Sequence, residues 1–465
     1  MKSSILCVEE VFDLPYKPHA YQYDTIERAS GKTCSLLIDS CGYGKSIMSL
    51  YLGLYHTIAN GVEQILVLIP PSSLDQTAEF ISSVKGIDAV TVYRGTPAQR
   101  KKINIESSPV FLMSYNIFRS DFNRVQRIGN KRKLFILADE LSLKSMGATY
   151  KKLKMLMYGK LRLTLADEPK HYLCGANATP LSAREQIYNW CSIFDHHLYP
   201  SHRLFELAHI EKLDYWGKVE EWADTELMDS NFNSFCVESQ GVDLEIPESV
   251  YTEVPYSLEK RHMELYRDIA EAEFKLLPED LHEQAAEAYF SVLQKVVLVP
   301  KEFGLDIRSP ILDIVDTYLD QLDEDDSVII YTRHVSVSQM LAEYYAERCV
   351  AYFGKVSKDD KVRGLVRFKK GEAKIMIANI DSLGKSQNLQ IANHTICAEL
   401  PFRSDVMTQM CGRTARQGQK KTTFFRFPLA KGTIQGDIYR RLQDNDEDLL
   451  KFNRNKKSLK EFVKI

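Results

Sequence analysis

The sequence predicts an α/β protein built on two parallel sheets in tandem. Three observations carry that expectation. Short β-branched apolar runs alternate with helical patterns in both halves of the 465-residue chain. Most of these runs show little polar alternation, as strands covered on both faces do. A helix-rich stretch over 206–310 separates the two sets.

The first set comprises "CSLLID", "QILVLIP", "AVTVY", "PVFLMSY", "LFILADE" and "HYLCGANATP". The second begins after residue 325 with "SVIIYTR", "CVAYFG", "AKIMIAN", "HTICAEL" and "TTFFRFP", separated by helical segments such as "SVSQMLAEYYAER". Between them, "SLEKRHMELYRDIAEAEFKLL" and "LHEQAAEAYFSVLQKVV" have helical periodicity, and Pro278 breaks the pattern between them. The expected division is a first domain over 1–205, a helical insertion or linker over 206–310, and a second domain over 311–465.

Bulk properties narrow the function classes. The chain is 44% hydrophobic and 26% charged, with a net charge of −3, so no global basic field marks a polyanion partner. Local basic patches ("NKRK" at 130–133, "KKLK" at 151–154, the lysines of 451–460) are offset by acidic runs, and a charge run is ordinarily a solvated face. Nothing at the start resembles a signal peptide, and no apolar run approaches the ~18 residues of a membrane helix. The nine cysteines form no C-x-x-C pair, which points to a reducing cytosol rather than a zinc site or disulfide framework. Eleven histidines show no metal-binding spacing. Trp190, Trp216 and Trp222 read as packing residues.

Three stretches carry chemistry. "DSCGYGKS" at 39–46 follows an apolar strand and opens a long amphipathic helix. That context suits a phosphate cradle: amides from Gly42 to Lys45 at a helix N-terminus, glycines that let backbone approach, Lys45 between the β- and γ-phosphates, and Ser46 on Mg²⁺. The usual first glycine of such a loop is Asp39 instead. "LFILADELS" ends an apolar strand in Asp139, suited to holding Mg²⁺, and Glu140, suited to polarising an attacking water. "QMCGRTARQGQKK" at 409–421 places Arg413 and Arg416 one turn apart on an expected helix, where both could meet charge developing on a transferred phosphoryl group.

Together these motifs resemble those of superfamily-2 helicases and translocases of the Swi/Snf-like type. "HAYQYDTIERA" resembles the Q motif, and "DSCGYGKS" resembles "DEMGLGKT", in which an Asp also stands where the first glycine would be. "LVLIPPSSLDQ" and "FLMSYNIFR" resemble motifs Ia and Ib, "DELS" stands where "DEAH" is usual, and "GANATPLSAREQIYNWCSIFDHHLYPS" resembles motif III with its continuation. "LEIPESVYTEVPYSLEKRHMELYRDI" resembles the lead into the second domain. "SVIIYTRHVSV", "ANIDSLGKSQNLQIANHTI" and the arginine stretch resemble motifs IV, V and VI, and "AKGTIQGDIYRRL" the family's "GTIEE" ending. The second GKS, "LGKS" at 383–386, falls in motif V and is not read as a second phosphate loop.

The resemblance implies two RecA-like domains with ATP in the cleft between them. It implies that Gln22 reads the adenine edge and that Gly42, Gly44, Lys45, Ser46, Gly384 and Gln409 contact nucleotide. Ser46 and Asp139 would bind Mg²⁺; Lys45, Asp139, Glu140, Arg413 and Arg416 would be catalytic. Pro71, Ser72, Ser73, Ser114, Tyr115, Asn116, Thr332, Arg333 and Ser382 would grip a nucleic-acid backbone, with Thr179 and Asn388 coupling the sites. Departures are Leu141-Ser142 in place of Ala-His, Leu383 and Ser386 in place of motif V glycines, and Cys411 and Thr414 in motif VI.

The implied function is ATP-dependent movement on DNA. "CAELPF" and "LAKGT" resemble the fork-regressing, strand-annealing branch, and the compact chain suits a bacteriophage or bacterial enzyme of replication, recombination or repair. A cytoplasmic monomer on duplex or branched DNA, without sequence preference, is expected. The alternatives are a duplex translocase that displaces proteins without strand separation, a restriction-system motor subunit, and a non-hydrolysing DNA clamp.

Overall fold

The computed structural model describes residues 4–39, 42–143, 145–178, 180–181, 183–214, 219–240, 246–278, 283–380, 382–383 and 387–443. The chain divides into two compact units, Met1–Asp243 and Leu244–Ile465.

The first unit contains β1 (Cys34–Leu37), β2 (Gln64–Leu68), β3 (Val90–Val92), β4 (Val110–Met113), β5 (Leu134–Asp139), β6 (Tyr172–Ala176), the hairpin strands β7 (Ile210–Leu213) and β8 (Val219–Trp222), and β9 (Cys236–Val237). Seven of these form one sheet in the order β3-β4-β2-β5-β6-β1-β9, parallel at every pairing. Neighbouring residues of its central strands face opposite cores. In β2, Leu66 and Leu68 enter one apolar cluster while Ile65 and Val67 enter the other. Phe111 and Met113 against Val110 and Leu112 repeat the division in β4. That is why these runs lack polar alternation; each fully buried aliphatic side chain contributes about 1.5–3 kcal/mol.

The second unit contains β10 (Ser249–Tyr256), β11 (Val328–Thr332), β12 (Cys349–Tyr352), β13 (Ile375–Asn379), β14 (His394–Cys397) and β15 (Thr423–Ala430). They form one sheet in the order β10-β15-β14-β11-β13-β12, again parallel throughout. All eleven anticipated strand runs are therefore strands.

The stretch 206–310 departs from the expected insertion. It is divided between the two units and contributes strands to both sheets: β9 closes the first beside β1, and β10 forms an edge of the second. Its helix Glu283–Leu298 belongs to the core of the second unit, where Phe290, Leu293, Val296 and Val297 are fully buried. Gln294 in that helix both donates to and accepts from the backbone of Leu400, at 3.2 and 2.9 Å. Apolar residues at helical spacing around one satisfied amide signal packing against a neighbour. The preceding helix ends at Leu276, just before Pro278.

Trp190 is fully buried and Trp222 packs against the same core, while Trp216 lies outside the described residues. Among the described residues no helix is long and apolar enough to cross a membrane.

Candidate active site

The loop after β1 leads into the helix Lys45–Ala59. Gly42 and Gly44 have φ of 99° and 78°, a left-handed conformation that glycine adopts without strain. Gly44 caps the helix. Gln22, 2% exposed on the helix Ala20–Ser30, lies against this turn. Its amide donates to the Tyr43 carbonyl at 2.9 Å, and its oxygen accepts from the His19 amide at 2.8 Å. A Cβ on Gly44 would stand 2.3 Å from the Gln22 amide nitrogen. Gln22 thus braces the loop from beneath. The Lys45 ammonium donates to the main-chain carbonyl of Asp39; Ser40 and Cys41 lie outside the described residues.

Asp139 ends β5, two strands from β1, and Glu140 opens the turn that follows. The Ser46 hydroxyl donates to the Asp139 carboxylate at 3.4 Å, joining the two motifs. Burial pushes the Asp139 carboxyl up; Lys45, the Glu140 amide and Ser46 oppose that rise. Glu140 has φ of 51°, uncommon for a residue with a Cβ, and its amide donates to the Asp139 carboxylate at 3.1 Å. The turn is held from two sides. The Tyr115 hydroxyl donates to the Asp139 carbonyl at 2.7 Å, and the Asn177 side chain donates to the Leu141 carbonyl at 2.6 Å. Burial, then Asp139 and Glu140, push the Tyr115 hydroxyl well above its ordinary range, so it remains a donor.

Ser46 and Asp139 supply hard oxygen donors beside a glycine-rich helix N-terminus. That set suits Mg²⁺, which is commonly held by one or two carboxylates with substrate phosphates and water. Among the described residues no three His, Cys, Asp or Glu side chains gather as a metal cluster.

Several anticipated backbone-gripping residues are placed differently. Thr332 is 0% exposed, and its hydroxyl pairs with Ser338 at 2.6 Å, so it anchors β11 to the next helix and cannot grip a nucleic acid. Ser73 is buried, whereas Pro71 and Ser72 are exposed. Ser114 is buried and caps the helix Tyr115–Ser120 by accepting from the Ile117 amide. Tyr115 turns inward to Asp139, leaving Asn116 exposed beside Arg119.

In the second unit the helix Ser404–Cys411 ends before the arginines, and Gly412 caps it. Arg413 and Arg416 therefore lie in the following turns, not on a helical face. Gln409, on the helix, is half-buried. Arg413 is buried and draws the Tyr331 phenol down against the burial that raises it. Arg416 donates to the Asn388 side chain, joining motifs VI and V directly. Ser382 follows β13 in a turn closed onto the Asn379 carbonyl at 3.0 Å. Thr179 and Gly384 lie outside the described residues.

The motif IV loop rests on a carboxylate that the sequence did not single out. Glu399 is 0% exposed and accepts from the Arg333 amide at 2.6 Å, the His334 amide at 2.8 Å and the His334 ring. The Arg333 side chain lies over the Phe402 ring at 3.9 Å and pairs with Glu287 at 2.9 Å. The available signal was a lone acid inside the apolar "CAELPF", since a buried carboxylate needs partners. Asn177 was equally unassigned, an amide at the end of the apolar β6.

The helicase conserved C-terminal domain matches residues 311–418. An uncharacterized ATP-dependent helicase of Mycoplasma pneumoniae is 22% identical over 89% of this chain and 40% of its own length. The uncharacterized ATP-dependent helicase YqhH of Bacillus subtilis is 22% identical over 93% of this chain and 78% of its own. The DNA annealing helicase and endonuclease ZRANB3 of Bos taurus is 18% identical over 86% of this chain and 37% of its own. The chain thus spans about two-fifths of the mycoplasma and bovine relatives. The Sulfolobus solfataricus SWI2/SNF2 ATPase core solved in complex with dsDNA aligns over 98% of both chains, at 17% identity and a TM-score of 0.44. The matched helicase domain, and relatives aligned along most of its length, make the chain similar to ATP-dependent helicases.

Proposed function

We propose that the chain is an ATP-driven DNA motor, acting as a monomer, that remodels forks or migrates branched junctions. The observation that carries the ATPase part is the junction of Ser46 with Asp139 beneath a loop whose two glycines are left-handed. In this reading Lys45 exchanges the Asp39 carbonyl for substrate phosphate, while Ser46 and Asp139 hold Mg²⁺. Held there, the ion would neutralise phosphate charge. Glu140, in a turn fixed by Tyr115 and Asn177, accepts the proton of the attacking water. Arg413 and Arg416 supply cations for the charge that develops on the transferred group. Gln22, already braced against Tyr43, positions the loop and would read the adenine edge. Ser72, Asn116, Arg333 and Ser382 remain the backbone-contacting candidates, and hydroxyl, amide and guanidinium contacts to phosphates would grip DNA without reading its sequence.

The branched substrate is supported by the DNA-annealing relative and by the "CAELPF" resemblance. The test measures ATPase rate over branched, duplex and single-stranded DNA and RNA, with Lys45→Ala and Glu140→Gln as controls. It then offers a Holliday junction, a fork and an overhang duplex with ATP. DNA-stimulated hydrolysis lost in both variants, with processing of a branched substrate, is the expected result. Hydrolysis that displaces bound protein but never opens or migrates a junction would replace the remodelling role. DNA binding with a flat ATPase reading would replace the motor with a clamp.

A further inference from the structure

Asp39 stands where a generic phosphate loop begins with glycine, and its carboxylate is occupied by a segment remote in sequence. Asp39 is 1% exposed. Its Oδ1 accepts from the main-chain amide of Ser239 at 2.7 Å, and among the described residues its Oδ2 is buried without a hydrogen-bond partner. Residues 236–240 are the last described residues before the boundary at 243/244, the segment through which the chain leaves the first unit.

That segment is fastened to the nucleotide loop's surroundings at each step. Cys236 and Val237 pair with β1, the strand that leads into the loop, and the Ile38 amide donates to the Val237 carbonyl at 3.2 Å. Arg28 donates to the Glu238 carbonyl at 2.7 Å, and the Thr25 and Ser239 hydroxyls lie 3.0 Å apart. Thr25 and Arg28 belong to the helix whose Gln22 braces Tyr43. On the loop side, Lys45 donates to the carbonyl of Asp39 itself. The peptide that Lys45 holds and the carboxylate that holds Ser239 therefore belong to one residue.

We propose that Asp39 is a positioning residue that latches the start of the phosphate loop to the exit segment, so that the state of the loop sets the order of that segment. When Lys45 turns to a phosphate it releases the Asp39 carbonyl, and the Asp39 side chain carries the resulting shift to Ser239. A buried carboxylate serves here where glycine could not, because glycine has no acceptor for the Ser239 amide. The coupling rests on the proposed ATP site; the latch itself does not.

Amide hydrogen exchange tests both parts on the whole chain. Without nucleotide, the Ser239 amide should exchange at least tenfold more slowly than an open amide. Asp39→Ala should remove that protection, and Asp39→Asn, which keeps an acceptor oxygen, should retain it. Ser239→Pro deletes the donor without altering the loop and should expose residues 236–240 in the same way, whereas Ser239→Ala should not. With Mg²⁺ and a non-hydrolysable ATP analogue, the wild type should slow exchange across 236–240 threefold or more. Asp39→Ala should bind the analogue within threefold of wild-type affinity yet show no such response.

An unprotected Ser239 amide in the wild type, or equal protection in Asp39→Ala, overturns the latch. So does loss of analogue binding in Asp39→Ala, which would place Asp39 in the phosphate cradle. An unchanged nucleotide response in Asp39→Ala overturns the coupling. Failure of the wild type to bind the analogue sinks the ATP reading instead, and the nucleotide-free measurements still decide the latch.

Discussion

The side-chain amide of Asn177 donates to the main-chain carbonyl of Leu141 at 2.6 Å. This bond ties the strand end at motif III to the turn of the acidic pair, where the family's usual Ala-His is Leu141-Ser142. The main-chain amide of Asn177 donates to the Leu37 carbonyl at 3.0 Å, so one residue spans the ends of β1 and β5. The acidic turn and the end of β6 are thus joined through the backbone carbonyl of Leu141.

Asn177→Ala should strand the buried Leu141 carbonyl, at a cost of about 1–3 kcal/mol. Because Glu140 is the neighbouring residue, ATPase kcat should fall roughly tenfold with little change in KM, the pattern of a misplaced general base. Steady-state ATPase with saturating DNA checks this. A KM rise with unchanged kcat would mean that Asn177 serves nucleotide binding.

Tyr115→Phe removes only the hydroxyl bonded to the Asp139 carbonyl. DNA affinity should stay within about twofold, while the DNA-stimulated ATPase rate falls severalfold, at a stability cost of about 1 kcal/mol. Titrating fluorescent DNA and measuring ATPase on the same preparation separates the effects. A tenfold loss of DNA affinity at unchanged rate would return the hydroxyl to the DNA surface.

The strands were legible because burial on both faces writes an uninterrupted apolar run, and the phosphate loop because helix start, glycines and Lys-Ser fall together. What escaped depends on long-range partners. β9 is only two residues long and β10 is exposed or half-buried along its length, so neither announces a parallel strand. Thr332 and Tyr115 carry hydroxyls suited to phosphate contact, but Ser338 and the Asp139 carbonyl claim them. Gly412 ends the helix before Arg413, although the Arg spacing suits a helical face.

Arg100 reaches both carboxylate oxygens of Asp121, at 2.8 and 2.9 Å, and Tyr93 donates to the same group at 2.7 Å. The Arg100 contact holds this carboxyl below its ordinary 3.8. A carboxyl depressed by folding contributes stability above its unfolded pKa, and that stability is lost as pH falls through the folded value. Arg100→Met should therefore be less stable than wild type by about 1–3 kcal/mol at pH 7. The gap should hold down to about pH 4 and narrow below it. Urea melts of both proteins across pH measure it; a gap unchanged down to pH 2 would assign the effect to packing.

Gly44→Ala should impair the loop through two separable effects. The residue has φ of 78°, which costs a side-chain-bearing residue about 1–2 kcal/mol, and its new Cβ would meet the Gln22 amide nitrogen at 2.3 Å. Relief of that contact requires Gln22 to leave the Tyr43 carbonyl or the loop to open. Nucleotide affinity should drop at least tenfold in Gly44→Ala and less in Gln22→Ala. In the double variant the clash disappears while the backbone strain remains, so its loss should be smaller than the sum of the single losses. Isothermal titration with ADP and Mg²⁺ across the four proteins closes the cycle. Strict additivity would show that Gln22 yields without resistance, and the bracing of the phosphate loop by this residue would then have no energetic weight.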